Sequence, residues 1–176
     1  TTNGSLLTRH AEKLASSGLD RVTVSLDAIE DEIVQDISNS SISSNDIIDG
    51  IKAALEHGLE VKVNTVIIKN YNEHQIIPIT QRFYEMGVSV RFIEYMDVGG
   101  TKNWNPEQVV FGDEIRTIIA TRFGRLKPLK QQKYGEVANR WSLSNGYEIG
   151  FIESISKPFC QSCTRARISA LSLIHI

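Results

Sequence analysis

Gly18, Gly58 and Gly87 set the plan of this chain, because each closes a stretch of helical periodicity directly ahead of a β-rich run. Before them, Leu7, Ala11, Leu14 and Ala15, then Ile47, Ile48, Ile51, Ala54 and Leu55, then Ile76, Ile77, Phe83 and Met86 recur at helical spacing. Pro78 falls in the first turn of the third helix, where its missing N–H costs nothing. After them come Arg21–Asp27, Glu60–Ile68 and Val88–Tyr95, alternating or β-branched and therefore strands. A glycine accepts the left-handed backbone that ends a helix without a Cβ penalty, so the punctuation has a physical cause. Helix, glycine, strand, repeated in this way, predicts βαβ units and an α/β fold with a parallel sheet. Ahead of the repeat, Thr1–Gly4 reads as a strand end turning at Asn3-Gly4. Between strand and second long helix lie a short helical segment, Ile29–Ile37, and a serine-rich loop whose last residue, Asn45, is the expected N-cap.

The pattern changes near residue 100. An irregular loop over 101–108 leads to a helix from about Asp113 to Phe123, and Ser144-Asn145-Gly146 joins two β-rich runs as a hairpin. The expected division is therefore 1–100 for the βα repeat and 101–176 for an appended, more antiparallel segment.

With 41% hydrophobic residues in 176, the chain can bury a real core. A net charge of −2 and a pI near 6.1 exclude the global basic field that drives nucleic-acid binding, so any anionic ligand must be held locally. No apolar run spans a membrane and no signal peptide opens the chain, which makes the reducing cytoplasm the expected compartment and no membrane partner expected. A start at Thr1 without methionine suggests a fragment.

Chemistry concentrates near the C-terminal end. Lys157-Pro158-Phe159-Cys160-Gln161-Ser162-Cys163-Thr164-Arg165-Ala166-Arg167 holds both cysteines of the chain, spaced Cys-x-x-Cys and followed by an Arg-x-Arg fork. Two thiolates at this spacing can grip one metal or iron–sulfur corner, and two guanidiniums suit phosphate oxygens. Blander readings stand beside these: a redox pair, a solvated basic patch, or half of a structural zinc site completed by outside ligands. In a parallel sheet, ligands gather at the carboxyl ends of the strands. That rule singles out Ser25 and Asp27, Lys62 and Asn64, and Arg91, Glu94 and Met96. Ser25 could equally fill a small core position, Lys62 snorkel from a sheet edge, and Met96 serve as packing.

Taken together, Thr1-Thr2-Asn3-Gly4, Val24-Ser25-Leu26-Asp27-Ala28, Val61-Lys62-Val63-Asn64, Arg91-Phe92-Ile93-Glu94-Tyr95-Met96-Asp97 and Phe159–Arg167 resemble the GTP 3′,8-cyclase family of radical S-adenosylmethionine (SAM) enzymes, in family order across about residues 1 to 170. The resemblance implies the later strands of a partial (βα)6 TIM-like barrel with an appended C-terminal cluster-binding segment. In that family a 4Fe-4S cluster in the N-terminal part cleaves SAM, and the radical formed takes a hydrogen from the ribose of GTP. Closure onto C8 of guanine then gives 3′,8-cyclo-7,8-dihydro-GTP, the first step toward molybdenum cofactor.

Carried over residue by residue, Cys160 and Cys163 resemble two ligands of a second 4Fe-4S cluster. Ser25 and Met96 resemble SAM contacts, and Thr1, Lys62, Arg91, Arg165 and Arg167 resemble GTP contacts. The resemblance carries over no catalytic side chain. The expected associations are a homodimer and a downstream cyclic pyranopterin monophosphate synthase that takes the product. Departures are equally visible: the first cluster's Cys-x-x-x-Cys-x-x-Cys is absent, and the third cysteine of the second cluster would fall just past Ile176. The tail from about residue 170 lacks the family's polar Asp-Gly turn and reads as a break in the reading frame, so the chain alone is expected to be inactive. Another radical SAM enzyme with an auxiliary cluster and a non-catalytic metal-binding domain are the alternatives.

Overall fold

The computed structural model describes residues 1–97, 104–131 and 136–158, together with the backbone of 167–168 and 174–175. Five helices and eight strands appear among them: α1 (Leu7–Ser16), β1 (Arg21–Ser25), α2 (Asp31–Ser38), α3 (Ser44–Glu56), β2 (Glu60–Ile67), α4 (Ile76–Glu85), β3 (Ser89–Glu94), α5 (Gly112–Phe123), β4 (Lys127–Pro128), β5 (Asn139–Ser142), β6 (Glu148–Ile152), β7 (Arg167–Ile168) and β8 (Ile174–His175). The fold is α/β. The main sheet has the order β1-β2-β3-β6-β5-β4, parallel from β1 to β6 and antiparallel from β6 to β4, while β7 and β8 form a separate antiparallel pair. Thr2 bridges Val24 in parallel, so the first residues continue the sheet beyond β1.

The punctuating glycines do what their position predicts: Gly18, Gly58 and Gly87 have φ of +89°, +78° and +67°. Each turn hands an amphipathic helix to a strand whose alternate residues are buried. Val24, Val63, Val90, Phe92, Ile149 and Phe151 thereby form one sheet face, packed against Ile51, Ile76, Ile79, Phe83, Ile115 and Ile119 of the helices. Burying such side chains contributes roughly 1.5–3 kcal/mol each. The other sheet face has no helix over it among the described residues and carries the polar residues.

Three features differ from the sequence reading. The N-cap of α3 is Ser43 rather than Asn45, because Ser43 and Asp46 close a capping box: Asp46 N donates to Ser43 Oγ at 3.1 Å and Ser43 N to Asp46 Oδ2 at 3.1 Å. Lys62 is on an interior strand, so it does not snorkel from an edge. The hairpin after residue 100 forms as expected, with Gly146 N donating to Leu143 O at 3.0 Å. Its second strand, however, also joins β3 in parallel and continues the same sheet.

Candidate functional site

Register decides which side chains share the open face. Ser25, Asn64, Arg91 and Gly150 are Cα partners across four consecutive strands, and Thr23, Lys62 and Ser89 form the row before them. Strand alternation points both rows away from the helices. Ser25 is exposed at the end of β1. Lys62 is partly buried and pairs with Glu60 through an Nζ–Oε1 contact of 2.7 Å. That hydrogen bond, aided by the charges of Lys62, Arg21 and Arg91, holds Glu60 below the usual carboxylate range. Thr1 is exposed next to β1, and Met96 is half-buried two residues beyond β3.

Arg91 needs room in this row, and Gly150 provides it. A Cβ at Gly150 would lie 2.9 Å from Arg91 Cγ, closer than two carbons approach. Within the row, Asn64 Oδ1 is buried and has no hydrogen-bond partner among the described residues. A hydroxyl, an amide with an unused acceptor and two cations on one face suit a nucleotide, which brings hydroxyl donors and anionic oxygens together.

The carboxyl ends of β1 and β2 are held by groups that composition and periodicity do not flag. Asn72 is fully buried; its Nδ2 donates to Asp27 O and Val66 O, both at 2.8 Å, and its Oδ1 accepts from Ile68 N at 2.7 Å. Gln75, also fully buried, accepts from Ile29 N at 2.9 Å and donates to Glu30 Oε1 at 2.6 Å. Asp27 Oδ1 accepts from Val66 N at 2.7 Å, and burial pushes its carboxyl above the usual range against the lowering effect of that bond. A cavity of about 230 Å³ opens here, lined by Asn3, Ser25 and Asp27 on one side and Val34, Ile42 and Ile47 on the other.

Glu94, noted in the sequence at a strand end, belongs to the opposite face. It is 1% exposed and accepts from Gly112 N, Ile155 N, Ser156 N and Ser156 Oγ, which fixes the turn leading toward Cys160.

The chain is similar to known proteins over most of its length. Residues 88–176 match the family model described as Molybdenum Cofactor Synthesis C, and residues 1–83 match that of the Radical SAM superfamily. The chain belongs to the Molybdenum Cofactor Synthesis C family. It is also 44% identical over 171 residues to proteins named GTP 3′,8-cyclase from Staphylococcus aureus strains JH9 and Newman, a span of 97% of this chain. The chain spans about half the length of these relatives, 50%.

In this member of the Molybdenum Cofactor Synthesis C family, Cys160, Cys163 and Arg165 lie outside the described residues, and Arg167 is described only as backbone of β7. Among the described residues, the structure brings Ser25, Lys62 and Arg91 onto one face, whereas Thr1 lines a cavity with Leu6, His10 and Val22 beside α1 and Met96 lies two residues beyond β3. No helix among them is long and apolar enough to cross a membrane.

Proposed function

We propose that this chain is the later half of a GTP 3′,8-cyclase, a lyase of the radical SAM type that converts GTP to 3′,8-cyclo-7,8-dihydro-GTP in molybdenum cofactor biosynthesis. The observation that carries the reading is the polar row Ser25–Asn64–Arg91, with Lys62 one row earlier on the same face. Its support is the 44% identity to relatives of that name. In this reading β1 to β3 are later strands of a partial (βα)6 barrel over residues 1–100, and residues 101–176 carry the cluster segment.

Ser25 and Met96 hold SAM; Thr1, Lys62, Arg91, Arg165 and Arg167 hold GTP. Triphosphate oxygens need concentrated local positive charge in a chain of net charge −2, and the lysine and arginines supply it. Cys160 and Cys163 would give two thiolates to a second 4Fe-4S cluster, and the third thiolate and the first cluster would come from parts of the full-length protein outside this chain. SAM with its cluster supplies the radical that opens the ribose C–H bond; the residues of this chain bind and orient GTP toward it. The remaining proposals are a cytoplasmic homodimer and delivery of product to a cyclic pyranopterin monophosphate synthase.

Metal analysis of the full-length protein purified without oxygen tests this reading. Iron with sulfide and charge-transfer absorption is the expected result; zinc without iron would replace it with a structural metal-binding domain.

A further inference from the structure

We propose that Glu60 is a displaceable counter-ion, holding the Lys62 ammonium while the site is empty and yielding it to the triphosphate of a bound nucleotide. The inference rests on the nucleotide reading above and adds a residue to it. Its basis is a contrast between two cations of the open face. Arg140, the Cα partner of Gly150 on β5, donates to Glu148 Oε2 at 2.9 Å and to Lys130 O at 2.8 Å, and pairs with Glu136 at 3.0 Å. Its charge is spent within the fold. Lys62 has one acceptor among the described residues, Glu60 Oε1 at 2.7 Å, and the two side chains remain 27% and 54% exposed. An ammonium so placed is held weakly, carries three donors and can exchange one anionic oxygen for another.

Register explains why an acid stands here. Glu60 is the Cα partner of Arg21, Lys62 follows two residues later on the same face, and Arg91 lies one row beyond Lys62 on β3. Strand alternation puts these three cations on the face that Glu60 shares. Like charges on neighbouring strands repel, and one carboxylate relieves them while no ligand is bound. The hydrogen bond from Lys62, with the charges of Lys62, Arg21 and Arg91, holds that carboxyl low, so it remains an anion near neutrality. A triphosphate brings several negative oxygens to the same cations, and charge-assisted bonds to phosphate outweigh a half-exposed ion pair. Bound anion and Glu60 then repel, and the ammonium, on its flexible four-carbon stem, follows the phosphate. Glu60 thus lowers affinity for the triphosphate through Lys62, as a positioning residue that does not touch the nucleotide.

The test is a double-mutant cycle in the full-length protein, reconstituted without oxygen, with equilibrium dialysis against GTP and, as a ligand without phosphate, against SAM. Glu60→Gln keeps the shape and removes the charge. The expected result is GTP binding about two- to fivefold tighter, the scale of a half-exposed ion pair, with SAM binding unchanged. In the Lys62→Met background, where GTP binding is weaker, the same substitution should give no gain. Unchanged or weaker GTP binding by Glu60→Gln, while the unsubstituted protein binds GTP, overturns the inference and leaves the function reading intact. An equal gain in both backgrounds means that Glu60 repels the phosphates directly, and overturns the counter-ion role. A parallel shift in SAM binding marks a general change of the sheet and overturns it too. GTP affinity untouched by Lys62→Met removes Lys62 from the site and the inference with it. Failure of the unsubstituted protein to bind GTP overturns the function reading and the inference together. Glu60→Thr carries the same comparison if the glutamine variant does not fold, and failure of both to fold marks Glu60 as structural and overturns the inference.

Discussion

Glu94 and Ser156, 62 positions apart in the chain, are joined by two hydrogen bonds, Ser156 N to Oε2 at 2.8 Å and Ser156 Oγ to Oε1 at 2.6 Å. Ile155 N and Gly112 N add bonds of 2.9 Å each. One carboxylate at the end of β3 thus anchors both the start of α5 and the turn that precedes Cys160. Arg91, on the same strand, faces the other way. β3 therefore links the candidate nucleotide face to the segment carrying the cysteines.

Glu94→Ala strips the acceptor from one buried backbone donor, Gly112 N, and two part-buried ones, Ile155 N and Ser156 N, and is expected to cost roughly 2 kcal/mol, since a buried unsatisfied donor costs about 1–3 kcal/mol. Urea denaturation measures the loss, and hydrogen exchange at the amides of residues 155 and 156 localises it. A loss below about 1 kcal/mol with unchanged exchange would show that the clasp is not holding the turn.

Two buried carboxylates give opposite pH signatures. Asp27 is raised, chiefly by burial, so the folded state holds its proton more tightly than the unfolded state. Its favourable contribution is present below the unfolded value and is lost as pH rises through the folded one. Asp27→Asn can keep the acceptor for Val66 N–H, and should melt at a higher temperature than the unsubstituted protein at pH 7, the difference shrinking toward pH 3. Burial pushes Glu153 up too, but hydrogen bonds from Arg116, Asn139 and Lys157 outweigh it and hold the carboxyl low. Its contribution is present above the unfolded value and fades as pH falls, so Glu153→Gln should be most damaging near neutrality. Melting differences that do not vary with pH would contradict both assignments.

Gly150→Ala places a carbon 2.9 Å from Arg91 Cγ and 3.3 Å from Ala138 Cβ. The expected cost is about 1–3 kcal/mol of stability from overpacking, and in the full-length protein weaker GTP binding as the Arg91 stem is displaced. Arg91→Ala made together with Gly150→Ala should recover part of the stability. A neutral Gly150→Ala would mean that the strand shifts to absorb the methyl.

The parallel half of the fold was legible because glycine, helix periodicity and strand alternation all agreed around Gly18, Gly58 and Gly87. Ser25, Lys62 and Arg91 were legible as candidates because polar side chains within or ending a β-rich run can be read from the sequence. Which of them share a face was not, since that depends on register: one residue of slip would exchange Arg91 with Phe92. The return of β6 to β3 was hidden for a related reason. A pairing between residues 90–93 and 149–152 leaves no local trace in either run. The roles of Asn72, Gln75 and Glu94 rest on backbone donors and acceptors brought together by folding, and nothing in a one-dimensional pattern separates a buried, bonded amide from an exposed one.

Arg165→Ala or Arg167→Ala in the full-length protein should weaken GTP binding by roughly 1.5–3 kcal/mol, the range for a charge-assisted hydrogen bond. Isothermal titration at two salt concentrations checks it, and unchanged affinity would remove these arginines from the GTP site.

The central claim is tested most directly by incubating the full-length protein, reconstituted with iron and sulfide, with GTP, SAM and a strong reductant, followed by mass spectrometry of the nucleotides. The account predicts conversion of GTP to 3′,8-cyclo-7,8-dihydro-GTP, abolished by Cys160→Ser or Cys163→Ser. Cleavage of SAM with GTP recovered unchanged would contradict it.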